Sequence, residues 1–275
     1  MAAPGRESFP QHRRAQREES HAQHHYSAVS IKYHTAYFYT GEYERWQMEC
    51  ILPRLTLRPD HMLVDIGGGT GRFATLLHGA AELQQAVLCV DPSEEMLAEA
   101  AKIPGVETKC SGALEFAQSA TFFDRALLKE VVHHISDSDL KKMYSGIYRQ
   151  LKPGGIVLTC TRPHVVQYPF FAAAHDVWSR QQKPMEHYAE IMRAAGFKQV
   201  HCEVLEYAVT IEKEWWLDMV QGRFWSTLSL EYFSEDELAA GLEEIKSTYA
   251  DQETISFAEQ MVFITATKAE SRDRG

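Results

Sequence analysis

Strand-like and helix-like segments alternate through the middle of this chain, and the alternation predicts an α/β fold: a mainly parallel sheet covered by helices on both faces. Three observations carry the prediction. Short apolar runs of strand length recur between residues 61 and 160. Amphipathic stretches of helix length separate them. A cluster of four glycines, Gly67, Gly68, Gly69 and Gly71, follows the first run, where a strand would turn into a helix.

Residues 1–25 are polar, rich in His, Arg, Gln and Glu, and without period, so they read as a disordered leader. His12, His21, His24 and His25 belong to this solvated stretch rather than to a metal site. Over 26–60, tyrosines 26, 33, 37, 39 and 43 and Trp46 predict an N-terminal helical cap of one or two amphipathic helices, broken near Gly41. Strands follow at 61–66, 86–90, 106–110, 123–128 and 155–160, with helices at 71–79, 93–101 and 137–150 and an imperfect turn near 114–119. Ser93 can cap its helix, with Glu94 and Glu95 in the favourable first turn. After Arg162 the pattern loosens. "EHYAEIMRAAGF" is a helix stopped by Gly196, and 199–210 is a strand. An aromatic-rich insertion around 211–233 comes next. Ser234 and Glu237 form a capping-box signature for a helix to about Tyr249, and 255–267 reads as a closing strand. The main domain thus runs over 61–268, with a tail at 269–275.

The chain has 275 residues, 45% of them hydrophobic, which suffices for one large α/β domain or a core domain with an elaboration. No apolar run approaches the roughly eighteen residues of a membrane span. The N-terminus lacks an apolar signal region, and Glu7, Glu18 and Glu19 interrupt the arginines that a transit peptide would need. A soluble cytoplasmic protein without membrane contact is expected. The five cysteines are odd in number, scattered and without a C-x-x-C pair, which argues against a disulfide framework and against a metal site. Cys89 and Cys160, inside apolar runs, read as small buried hydrophobes. The net charge of −10 lies entirely in residues 201–275, with 16 acidic and 6 basic side chains. No basic stripe appears, which argues against nucleic acid as a partner. A monomer is compatible with these features.

A strand–glycine loop–helix unit offers backbone N–H groups and a helix N-terminus to a ligand. A dinucleotide site would place glycine at the third position of G-x-G-x-x-G, where this chain has Arg72. No Gly-Lys-Ser/Thr follows, so a P-loop is excluded. Asp65 ends the strand, where it would repel a diphosphate and attract positive charge. Asp91, in "VLCVDPSEEML", ends the next strand 20 residues beyond Gly71 and suits a vicinal ribose diol. A ribose, a cationic head and no pyrophosphate describe S-adenosylmethionine.

Four motifs in order then resemble the class I S-adenosylmethionine-dependent methyltransferases, over roughly residues 26–210: "LVDIGGGTG", "VLCVDPSEEML", "FFDRALLKEVVHHI" and "LKPGGIVLTC". The resemblance implies a Rossmann-like, seven-stranded, mostly parallel sheet with a reversed last strand, plus an N-terminal helical lid. It implies that Asp65, Gly67, Gly69 and Gly71 hold the methionine moiety and Asp91, beside Pro92, the ribose. Lys129 and Tyr33 would adjoin the cofactor. Related enzymes often use Asp-Ala after strand three to reach the adenine; here Gly112 and Ala113 stand there, so backbone near Ala113, or Glu115, would substitute.

Strand four delivers Glu130, His133 and His134 towards the cofactor mouth. Either histidine can act as a general base near neutral pH, or can cap or pack the helix that Ser136 or Asp137 begins. Glu130 is a candidate polar wall of the substrate pocket. Tyr37 and Tyr39, with Trp215, Trp216, Phe224 and Trp225, are candidate pocket aromatics, core packing being the alternative. Arg162 can meet a substrate carboxylate or stand on the surface beside Pro163. The leading reading is methyl transfer to nitrogen, oxygen or sulfur of a small molecule. RNA or protein methylation is the second; the paired histidines resemble a motif of some tRNA-modifying methyltransferases, which need basic surface absent here. A non-catalytic cofactor binder is the third, and arsenite methylation ranks below them.

Overall fold

In a computed structural model of the chain, the described residues are 41–270. The expected leader over 1–25, the cap residues before Gly41 and the last five residues of the tail lie outside them. The strands are β1 (Leu63–Ile66), β2 (Val87–Asp91), β3 (Val106–Cys110), β4 (Phe123–Lys129), β5 (Leu151–Thr161), β6 (Lys198–Glu212) and β7 (Thr254–Thr267). They form one sheet in the order β3-β2-β1-β4-β5-β7-β6, and β7 alone runs opposite to the other six. The mostly parallel seven-stranded sheet with a reversed last strand is therefore present.

The helices are α1 (Gly41–Leu55), α2 (Arg72–Ala80), α3 (Glu94–Ala100), α4 (Ala113–Phe116), α5 (Asp137–Gln150), α6 (Ala172–Gln181), α7 (Met185–Ala194), α8 (Lys213–Gln221) and α9 (Glu235–Thr248). Their starts follow local chemistry. Ser93 and Ser136 accept hydrogen bonds from Met96 N–H and Asp139 N–H, and Ser234 and Glu237 complete the expected capping box. Neither α6 nor α8 was anticipated. Both start without a side-chain cap, so the usual polar signal for a helix start is absent. The fifth strand begins at Leu151, ahead of the expected start at Gly155, because Leu151 pairs with Phe123 across a register shift.

Alternation of side chains across the sheet sorts the core into two layers. Val64, Ile66, Ala126, Leu128, Val157 and Ile264 point to one face, against α5 and α7. Leu63, Leu127, Leu158, Met261 and Phe263 point to the other, against α1 and α2. A third cluster lies beyond the sheet, where α6, α8 and α9 pack on the loop after β5 and the far ends of β6 and β7. Among the described residues no helix is long and apolar enough to cross a membrane.

Candidate active site

The sheet order reverses between β1 and β4, and ligands of such sheets bind at the strand ends beside the reversal. There the chain leaves β1 through Gly67, whose φ of 76° is left-handed and whose added Cβ would stand 2.2 Å from Val131 Cγ2. Only glycine fits both constraints. The N–H groups of Gly67 and Gly68 donate to Val90 O at 2.7 and 3.1 Å, folding the loop over the end of β2. Gly69, with φ of 54°, turns its N–H to Asp91 Oδ2 at 2.9 Å, and Ser93 N–H donates to Asp91 Oδ1 at 2.9 Å. Asp91 is thereby oriented with one donor on each oxygen, and a carboxylate offers about four acceptor positions in all, so a diol can still be accepted. Gly71 stands at the N-cap of α2. Beside Asp91, nothing lies within 4 Å of where a Gly112 side chain would begin. Ala113 opens α4 there, while Pro92 is exposed and Glu115 is held by Ser111 Oγ at 2.9 Å.

Asp65 is buried on the α1 side of the sheet, 2% exposed. Burial pushes its carboxyl up to about 7; Lys129 opposes that rise and Asp91 adds to it. Lys129, lowered chiefly by burial, lies with Nζ 4.5 Å from the centre of the Phe73 ring. A cationic ligand group beside Asp65 would favour its ionised form. The loop, Asp91 and Asp65 together fit a ligand with a cationic head and a ribose.

Beyond β4 the backbone turns at Glu130, a non-glycine residue with φ of 59°, whose N–H donates to Cys160 O at 2.9 Å. Such strain persists where the surroundings fix it, and it clusters at functional sites. Burial works to raise the Glu130 carboxyl, but Arg162, then Lys129 and His133, hold it below its usual range. His133 and His134 follow in a 3-10 turn with ring centres 3.9 Å apart. Burial holds the His133 pKa down, Arg162 adding to this and Glu130 opposing, so its imidazole is neutral near pH 7. Its Nδ1 is buried without a hydrogen-bond partner among the described residues. Desolvation and His133 also lower His134, an effect limited by that residue's exposure to solvent. Ser136, not a histidine, caps α5.

Arg162, expected to meet a substrate carboxylate or the surface, instead engages two carboxylates of the chain. Its Nε lies 3.2 Å from Glu130 Oε1, and its Nη1 pairs with Glu259 Oε1. The same Glu259 oxygen accepts from Tyr168 Oη at 3.0 Å and from Tyr43 Oη at 3.3 Å. Sequence reasoning missed Glu259. Its only signal was period-two spacing with Met261 and Phe263, which put one acidic side chain on a buried face.

The expected pocket aromatics divide. Trp216 is fully buried, donates from Nε1 to Pro169 O at 2.9 Å and belongs to the third core cluster, as does Phe224. Trp215 and Trp225 are partly exposed and pack on it, Trp225 with its ring 4.9 Å from Trp216. Tyr33, Tyr37 and Tyr39 lie outside the described residues.

A family model described as a methyltransferase domain matches residues 63–155, which hold the loop, Asp65, Asp91, Glu130 and both histidines. Among solved structures, the chain is similar to phosphoethanolamine N-methyltransferase 2 of Haemonchus contortus in complex with phosphomonomethylethanolamine and S-adenosylhomocysteine. The two share 25% identity with a TM-score of 0.52, over 82% of this chain and 52% of that one. A structure of the same enzyme with S-adenosylmethionine is 26% identical over the same shares, with a TM-score of 0.52. The chain therefore spans about half the length of these enzymes. An S-adenosylmethionine-dependent methyltransferase from Archaeoglobus fulgidus shares the fold at 18% identity and a TM-score of 0.57, over 87% of this chain and 99% of that one. No curated protein matches the sequence. The motifs and the family model agree on a methyltransferase-domain match over residues 63–155, and the strand order is that of the similar solved methyltransferases.

Proposed function

We propose that the chain transfers the methyl group of S-adenosylmethionine to a nitrogen, oxygen or sulfur atom of a small molecule. The observation that carries this reading is Asp91, fixed by Gly69 N–H on one oxygen and Ser93 N–H on the other at the open end of the sheet. In this reading Asp91 accepts the ribose hydroxyls, Asp65 and the 67–71 loop hold the methionine part, and the space beside Gly112 and Ala113 takes the adenine. The bound cofactor supplies a sulfonium methyl that a nucleophile displaces in line. The chain's own work is to position the nucleophile and keep the site dry. His133, kept neutral by burial, can take a proton from a nucleophile that arrives protonated. Glu130, kept ionised by Arg162, forms a charged wall beside it.

A small substrate is favoured over RNA by charge. The acidic residues concentrate in 201–275 and no basic stripe offers itself to a phosphate backbone. The Haemonchus enzyme's complex with a small phosphorylated amine is in line with this. The test is transfer of labelled methyl from S-adenosylmethionine into a fractionated cell extract, with Asp91→Ala as control. Label in the small-molecule fraction, lost in the variant, is the expected result. Label in RNA or protein alone would contradict the small-molecule reading.

A further inference from the structure

We propose that the cluster of Glu130, Arg162 and Glu259 is a subsite for the positively charged nitrogen of an amine-bearing substrate. This rests on the methyl-transfer reading for the substrate's presence there, and on the cluster's own chemistry for its charge.

The first observation is an unsatisfied carboxylate. Glu259 is 0% exposed, yet its Oε2 has no hydrogen-bond partner among the described residues, while Oε1 takes Tyr43, Tyr168 and Arg162 together. A buried polar atom without a partner is costly and calls for an explanation. A purely structural pair would satisfy both oxygens, since a guanidinium fork matches a carboxylate in bidentate fashion.

The second observation is charge: Glu130 and Glu259 share the Arg162 guanidinium, while Lys129 also acts on Glu130. A cationic group would give Glu259 a second charged partner, and an anionic one would be repelled by both carboxylates. The third is the packed aromatic cluster whose Tyr43 and Tyr168 hydroxyls reach the carboxylate. The Tyr168 ring lies 5.7 Å from Trp225 and 5.8 Å from Phe257, and the Tyr43 ring 5.5 Å from Trp46 and 5.2 Å from Tyr207. Such an electron-rich, desolvated setting beside a carboxylate favours organic cations over uncharged molecules of the same shape. A metal ion fits less well: among the described residues no group of three His, Cys, Asp or Glu side chains could hold one. The location is apt, because Glu130 extends from β4, the strand whose end borders the glycine loop, and so joins the cluster to the cofactor mouth.

The experiment titrates the full-length chain with choline and with 3,3-dimethylbutan-1-ol, its uncharged isostere, by calorimetry, with and without saturating S-adenosylhomocysteine. Choline is expected to bind about tenfold more tightly or better, the scale of a desolvated cation–aromatic contact. That preference should vanish in Glu259→Gln and shrink in Glu130→Gln, a less buried position that guards against misfolding of the first variant. Equal binding of the two probes, a preference for the alcohol, or binding of neither at millimolar concentration would overturn the proposal and leave the cluster a structural tie between α1 and the sheet. A choline preference in a chain that labels nothing in extracts would keep the subsite and remove the methyl-transfer reading. Labelled product without that preference would do the reverse.

Discussion

The two ends of this site are built in different ways. At the glycine loop, the contacts that fix the geometry join residues near one another in sequence: Gly69 and Asp91 are 22 residues apart, Asp91 and Ser93 only 2. At the aromatic end, Tyr43 reaches Glu259 across 216 residues and Tyr168 reaches it across 91. The first end needs one strand–loop–helix unit and the strand beside it. The second exists only because the reversed strand β7 inserts between β5 and β6, bringing Glu259 beside Arg162. The proposed cofactor end is thus built locally, and the candidate substrate side is a product of the topology.

The aromatic end can be undermined alone. Trp216→Ala removes a fully buried ring and its hydrogen bond to Pro169 O, and should lower the unfolding free energy by about 3–5 kcal/mol. Denaturant titration measures that loss. Calorimetry on the fraction still folded should find S-adenosylmethionine affinity little changed, and a matching loss of affinity would show that the two ends are not separable.

A pH series sharpens the comparison from the cofactor side. The Asp65 carboxyl, pushed up to about 7, must be ionised to favour a cationic ligand group, so cofactor affinity should rise as pH climbs through that value. Below it the affinity should fall by up to about tenfold per pH unit, readable by calorimetry between about pH 6 and about pH 8. Stability of the cofactor-free chain runs the other way. The folded pKa lies above the unfolded value of 3.8, so the contribution of Asp65 is full below that value and is lost as pH rises through about 7. Asp65→Asn should flatten both slopes. Slopes that persist in the variant would assign them to another group.

Much of the first end was legible in the sequence because its signals are short-range. Four glycines, a strand-ending Asp65 and Asp91, and serine caps at Ser93, Ser136 and Ser234 each declare a local geometry, and the predicted helix over 137–150 has the bounds found. The second end was not. Arg162 read as a residue awaiting a substrate carboxylate because its partners lie 32 residues before it and 97 after it. Glu259 carried no motif at all. Trp215 and Trp216 are adjacent in sequence yet divide between partly exposed surface and core, a distinction set by which side of α8 packs inward. Helix α6 was hidden because the bulky Phe170 and Phe171 precede it where a polar cap would have announced its start.

The most direct test of the account is calorimetry of S-adenosylmethionine binding to the wild-type chain and to Asp91→Ala. One cofactor should bind per chain, and the variant should lose about 1.5–3 kcal/mol, the scale of hydrogen bonds to a charged group. Unchanged affinity in Asp91→Ala, or no binding by the wild-type chain, would contradict it.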